Sequence, residues 1–171
     1  MKKLEIGPGK SKIDSDWITV NIVKTPCTDI ISEWGKTPLP FEDNEFDLVY
    51  SSHCLEHIPW HDTIFALKDA YRILNSGGIL EIWVPDFEYI VNCYKSKKCG
   101  DNWRKYNEES DYMKWVNGRI FTYGESPHHC VFDHDYLQMC LIESGFKDIF
   151  KLEKPRGYDH GKINMGLRGV K

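Results

Sequence analysis

The chain has 171 residues, 41% hydrophobic and 28% charged, with Gly 13 and Pro 8, the make-up of one globular domain that buries roughly two thirds of its unfolded surface. A formal net charge of -4, from 22 basic and 26 acidic side chains, excludes a strongly basic surface for nucleic acid or anionic lipid. No stretch approaches the roughly 20 apolar residues of a membrane span, and Met1-Lys2-Lys3-Leu4-Glu5 lacks the apolar centre of a signal peptide. A cytoplasmic protein is therefore expected, with no membrane or nucleic-acid partner. The cysteines form no C-x-x-C pair, which fits a reducing compartment and thiols used as small core residues.

Leu4 to Ile6 reads as a short strand broken at once by Gly7-Pro8-Gly9. Trp17 to Ile22 and Thr28 to Ser32 read as the second and third strands, and Phe46 to Tyr50 as the fourth. Ile64, Leu67, Tyr71 and Leu74 recur at helical spacing, predicting a helix over 63–75 with Asp62 as its cap and Gly77-Gly78 as its stop. Ile79 to Val84 is the next strand. The segment 87–130 is polar and rich in tyrosine and tryptophan, and reads as a substrate-cap insert in a single domain spanning 1–171. After it, Asp133 caps a helix that Gly145 stops. Asp148 to Glu153 and Ile163 to Val170 are two strands without an intervening helix, hence an antiparallel pair. The alternation of strand and helix before them predicts an α/β fold: a Rossmann-like, mostly parallel sheet ending in a C-terminal antiparallel hairpin.

Ligands of open parallel sheets bind at the carboxyl ends of the strands, where strand order reverses. Glu5-Ile6-Gly7-Pro8-Gly9 occupies that position after the first strand, and its glycines let a ligand approach the main chain. The dinucleotide fingerprint G-x-G-x-x-G is only half met, because Lys12 stands at the third glycine. The first crossover is also near the lower limit of roughly 10 to 12 residues, so a ligand without pyrophosphate fits better than a nicotinamide dinucleotide. Asn21, after the second strand, offers an amide where a carboxylate usually holds ribose hydroxyls; it reads equally as a turn residue. After the fourth strand come Ser51, Ser52, His53, Cys54 and, further on, His57. His53, with an ordinary pKa of about 6.5, suits proton transfer at neutral pH; His57 reads as a histidine satisfied by backbone.

Four stretches, LEIGPG (4–9), PLPFEDNEFDLVYSSHCLEHI (38–58), YRILNSGGILEIWVPD (71–86) and LIESGF (141–146), together resemble the class I S-adenosylmethionine-dependent methyltransferases, and within them the small type 11 subgroup. The resemblance implies S-adenosyl-L-methionine (SAM) as cofactor. It places Glu5, Gly7, Pro8 and Gly9 around the methionine moiety, Asn21 at the ribose, Glu33 and Trp34 beside adenine, and Ser51, Ser52 and His53 alongside the sulfonium. It further implies in-line attack on a methyl carbon, which needs alignment and, for a hydroxyl acceptor, a base. His53 is the expected base, with His129, in the His128-His129 pair, as its backup. No metal is expected, because Asp133 is wanted as a helix cap and adjacent histidines share an ion poorly. By analogy the acceptor is a small molecule, with a sugar, nucleotide-sugar or glycan hydroxyl favoured, and Tyr106, Tyr112 and Arg119 are candidates for its rim. The insert's aromatics otherwise read as packing for a cap or a homodimer contact. The alternative is a methyltransferase-like binding or scaffold protein without turnover, suggested by Asn21 and the short first crossover.

Overall fold

A computed structural model describes residues 1–98, 112–122 and 126–171. Seven strands form one sheet in the order β3-β2-β1-β4-β5-β7-β6. They are β1 (Lys3–Ile6), β2 (Trp17–Asn21), β3 (Ile30–Ile31), β4 (Phe46–Ser52), β5 (Leu74–Pro85), β6 (Lys147–Leu152) and β7 (Asn164–Val170). The first five run parallel, and β7 inserts antiparallel between β5 and β6. The expected architecture, a mostly parallel sheet closed by an antiparallel hairpin, is the one found.

The helices are α1 (Thr63–Ile73), α2 (Phe87–Ser96), α3 (Tyr112–Ile120) and α4 (His134–Glu143). Helix α1 buries Ala66, Leu67, Ala70 and Ile73, and α4 buries Leu137, Cys140 and Leu141, against Leu4, Val49, Leu80 and Leu167 of the sheet. Each such fully buried aliphatic side chain contributes roughly 1.5–3 kcal/mol of transfer free energy. The opposite face holds a smaller cluster of Trp17, Leu48, Tyr50 and Trp83, where Arg156 forks onto the buried Glu81 carboxylate at 2.6 and 2.7 Å. Helices α2 and α3 lie in the region expected to form the insert and share a third cluster, Ile90 and Cys93 with Trp115.

Several boundaries differ from expectation for local reasons. Helix α1 stops at Ile73, because Leu74 is already extended (ψ 142°) and pairs with Phe46. Gly77 and Gly78 therefore lie inside β5, on a stretch where the β4–β5 register shifts, instead of ending the helix. Asp62 makes no capping hydrogen bond, since a 3-10 turn at Trp60–Asp62 runs directly into α1. Strand β3 is shorter than Thr28 to Ser32, because Thr28 is held in a turn with Thr25. Asp133 does cap α4, accepting from the Tyr136 amide at 2.8 Å, and Gly145 (φ 102°) ends it in the left-handed region.

Candidate active site

Strand order reverses between β1 and β4, so the loops leaving their carboxyl ends frame one crevice. Gly7 (φ 74°) and Gly9 (φ 61°) turn the β1 loop through left-handed conformations that side chains resist. A Cβ on Gly7 would stand 3.0 Å from the Cys54 side chain, so the glycine also allows the two loops to touch. The Glu5 carboxylate accepts from the Ile13 amide at 3.0 Å and thereby braces the same loop from within.

Beneath this loop lies a cavity of about 590 Å³, inside the range of roughly 300–1,000 Å³ for small-molecule sites. Gly7, Gly9, Asn21, Glu33, Trp34 and His53 line it. Trp34 is fixed by donating to the Ala66 carbonyl at 2.9 Å, and Gly35 beside it is required because a Cβ there would meet Ile58 at 2.7 Å. The Asn21 side-chain oxygen accepts from Ile22 N–H at 2.8 Å. It thus serves as turn residue and as cavity wall at once.

Four residues expected around the cofactor, Glu5, Pro8, Ser51 and Ser52, are not part of this wall. Ser51 and Ser52 are the last two residues of β4, paired with Ile82 and Trp83, rather than the start of the following loop. Ser51 is consequently fully buried. Ile58, Pro59 and Asp62 also line the cavity; the first two carried no chemical signal of their own in the sequence, and Asp62 was expected only as a helix cap.

A second cavity of about 580 Å³ lies on the other side of His53 and His57, which line both. Its other walls include Glu56, Trp115, Arg119, His128, His160 and Lys162. The adjacent histidines of the expected backup pair diverge: His128 lines the second cavity and His129 the first. The remaining members of that stretch are used elsewhere, Asp133 as a cap and His134 paired with Asp135 at 3.1 Å. Arg119 lines the second cavity, whereas Tyr112 donates to the Lys97 carbonyl at 2.5 Å and is not part of the wall. Tyr106 lies outside the described residues.

His53 adopts φ 51° at the end of β4 while its amide still bonds to Trp83 O at 2.8 Å. A non-glycine residue in this region stores strain of about 1–3 kcal/mol and directs attention to function. Its Nε2 lies 2.7 Å from Asn164 Oδ1. The Asn164 amide is oriented by Nδ2 donating to Asp159 Oδ1 at 2.6 Å, so the histidine is the donor. Its Nδ1 lies 3.2 Å from the Glu56 carboxylate. Burial pulls the imidazole pKa down, but the Glu56 bond and charge and the Asn164 bond outweigh it and hold it above the ordinary histidine range. The His160 ring lies over His53 at 3.9 Å between centroids and is held below the ordinary range, by burial first and then by the charge of His53. His57 Nδ1 lies 3.1 Å from the Pro127 carbonyl, the backbone partner expected of it.

A sheet in this order, with β7 reversed and a glycine loop after β1, is the Rossmann-like arrangement with its ligand crevice at the carboxyl ends of β1 and β4. Within it, residues 5–82 match the methyltransferase domain family. Among curated proteins, the demethylmenaquinone methyltransferase of Staphylococcus epidermidis is 26% identical over 117 residues, 65% of this chain and 44% of that protein. The Staphylococcus saprophyticus enzyme of the same name is 29% identical over 139 residues, 77% of this chain and 50% of that protein. The chain thus spans about half the length of the curated relatives it matches. Among solved structures, a SAM-dependent methyltransferase from Thermotoga maritima superposes with a TM-score of 0.59 at 20% identity, covering 99% of this chain and 82% of that one. A Burkholderia thailandensis 1,6-didemethyltoxoflavin-N1-methyltransferase, solved with S-adenosylhomocysteine, gives a TM-score of 0.62 at 14% identity, covering 99% and 70%. At these identities the likeness establishes the fold.

Proposed function

We propose that the chain is a SAM-dependent methyltransferase for a small polar acceptor, with the cofactor under the β1 loop and the acceptor in the second cavity. The observation that carries this reading is the pair of cavities separated by His53 and His57. In-line transfer requires the acceptor atom within about 3–3.5 Å of the methyl carbon, and the two cavities meet at His53 and His57, which line both. The glycine-lined first cavity fits SAM, since Gly7 and Gly9 admit a ligand against the main chain and Asn21 presents an amide to a ribose. When bound, SAM supplies an electrophilic methyl group on a sulfonium.

His53 is the residue we assign to the transfer step, because it borders both ligands. Both of its ring nitrogens face oxygens. To remove an acceptor proton through Nε2 it must release Asn164 and first give up the Nε2 proton to solvent, keeping Nδ1–H on Glu56, so that the Nε2 lone pair is free. The His160 ring lies against His53 at a 35° tilt and is held neutral, with its pKa lowered to about 4; it needs no such rearrangement but is a weaker base, and is the second candidate. His129 faces the cofactor side, which favours contact with SAM over a base role.

The charged lining of the second cavity, with Glu56, Arg119, His128 and Lys162, favours a hydroxylated acceptor such as a sugar or nucleotide-sugar over a prenylated ring. C-methylation of a hydroquinone is the second reading, favoured by the names of the Staphylococcus relatives. Incubation with methyl-labelled SAM and a panel of sugars, nucleotide-sugars and short-chain hydroquinones separates them. Label on a sugar hydroxyl supports the first reading, and label on a hydroquinone ring carbon replaces it. SAM binding without label on any acceptor favours a binding or scaffold protein.

A further inference from the structure

We propose that Glu56, His57 and His128 form a binding site for a divalent transition-metal ion of the zinc and cobalt type, on the wall of the second cavity. One ligand atom from each of the three lies within 4.8 Å of the others. The 3-10 turn Leu55–His57 places Glu56 and His57 side by side. The Glu56 carbonyl then accepts from the amides of His129 at 2.8 Å and Cys130 at 3.1 Å, which fastens the chain carrying His128 alongside them. The site is thus assembled by backbone, independently of any ion.

The independent observation is the Glu56 carboxylate. It is 1% exposed, and beyond the single His53 Nδ1 contact at 3.2 Å neither oxygen has a hydrogen-bond partner among the described residues. One imidazole contact leaves further acceptor positions of this buried carboxylate unmet, and a cation at the cluster meets them. The two histidines point to which cation. His57 Nδ1 stands 3.1 Å from the Pro127 carbonyl and His128 Nδ1 3.1 Å from the Arg119 carbonyl. Carbonyl oxygens only accept, so Nδ1 is the donor in both, with Ser126 Oγ a further neighbour of His57 Nδ1 at 3.1 Å, and Nε2 is the atom that each neutral imidazole offers to an ion. His128 Nε2 faces Glu56 Oε1 at 3.9 Å, so that an ion placed between them is met by both. Imidazoles held through Nδ1–H by backbone, with the carboxylate buttressed by His53, form the outer support typical of metal ligands.

Two imidazoles and one carboxylate select zinc-like ions over magnesium or calcium. Three protein ligands leave a coordination position open, as in catalytic zinc sites, and Glu56, His57 and His128 all line the second cavity. Tetrahedral ligation at about 2.0–2.2 Å brings ligand atoms to about 3.3 Å from one another, so the side chains must close by roughly an ångström.

The full chain, stripped with a chelator and titrated with Co(II), tests this without reference to methyl transfer. The expected result is one equivalent bound with a visible d–d spectrum and a Kd of about 10 µM or lower, weakened at least about tenfold by His57→Ala or His128→Ala. His61→Ala, outside the cluster, leaves the titration unchanged. In the wild-type Co(II) protein, a pair of solvent-exchangeable hyperfine-shifted proton signals is expected from the two Nδ1–H groups, which decides the matter even if the variants do not fold. Absence of saturable binding at about 100 µM Co(II) or Zn(II), absence of those signals, or unchanged binding when His57→Ala and His128→Ala are combined overturns the proposal.

Discussion

His53 and Asn164 are 111 residues apart in sequence and meet at 2.7 Å. Ser52 pairs with Trp83 and Asn164 with Pro85, so the two residues reach each other across the carboxyl end of β5. The closing hairpin therefore does more than complete the sheet: it supplies the group that orients the histidine between the two cavities.

Replacing His53 by Ala should leave SAM affinity within about threefold of wild type, since most of the first cavity's wall remains, while transfer falls by about 10²-fold or more, the usual worth of a positioned acid or base. Calorimetry and turnover on the acceptor identified by labelling measure the two effects separately. Near-normal turnover would move the role to His160 or to the His128-His129 segment.

Asn21→Asp should tighten SAM binding about fivefold, because a carboxylate makes stronger hydrogen bonds to ribose hydroxyls than an amide does and can still accept from Ile22 N–H. Unchanged or weaker affinity in the same titration would show that Asn21 is not at the ribose.

How far the sequence disclosed this arrangement depended on distance along the chain. Strands β1 and β4 and the Asp133 cap were legible because an apolar run and its glycine, turn or capping residue are adjacent. The end of α1 was not. Gly77-Gly78 carries a strong stop signal, yet tertiary pairing of Leu74 with Phe46 ends the helix four residues earlier. The glycine loop and His53 reached the expected crevice, but Ser51 and Ser52 did not, since β4 runs two residues further than its apolar pattern. Asn164 and His160 joined the site with no local signal, being brought there by β7 and the loop before it. Glu56 was visible only as part of a motif, and its burial beside two histidines is a tertiary fact.

Gly166 in β7 lies against the Trp83 indole, where an added Cβ would stand 2.6 Å from ring atoms. Overpacking of this kind costs about 1–3 kcal/mol, so Gly166→Ala should lower Tm by several degrees, at about 2–4 °C per kcal/mol for a chain of this size. An unchanged melting curve would mean that the indole shifts freely.

The Glu5 carboxyl is held above its ordinary pKa of 4.5, by burial first, against the lowering effects of the Ile13 amide and Lys12. For an acid whose folded pKa is raised, the stabilising contribution is complete below the unfolded pKa and disappears as pH rises through the folded one. Glu5→Gln, which keeps an acceptor for Ile13, should therefore gain Tm relative to wild type as pH is raised from about 4.5 to 7. Thermal melts across that range check it, and a Tm difference independent of pH would contradict it.

The most direct test of the account is isothermal titration of the purified chain with SAM and, separately, with NAD. Saturable binding of one equivalent of SAM, with no heat from NAD at about 1 mM, is the predicted result. Binding of NAD, or of neither ligand at that concentration, would contradict the assignment of the glycine-lined cavity to SAM.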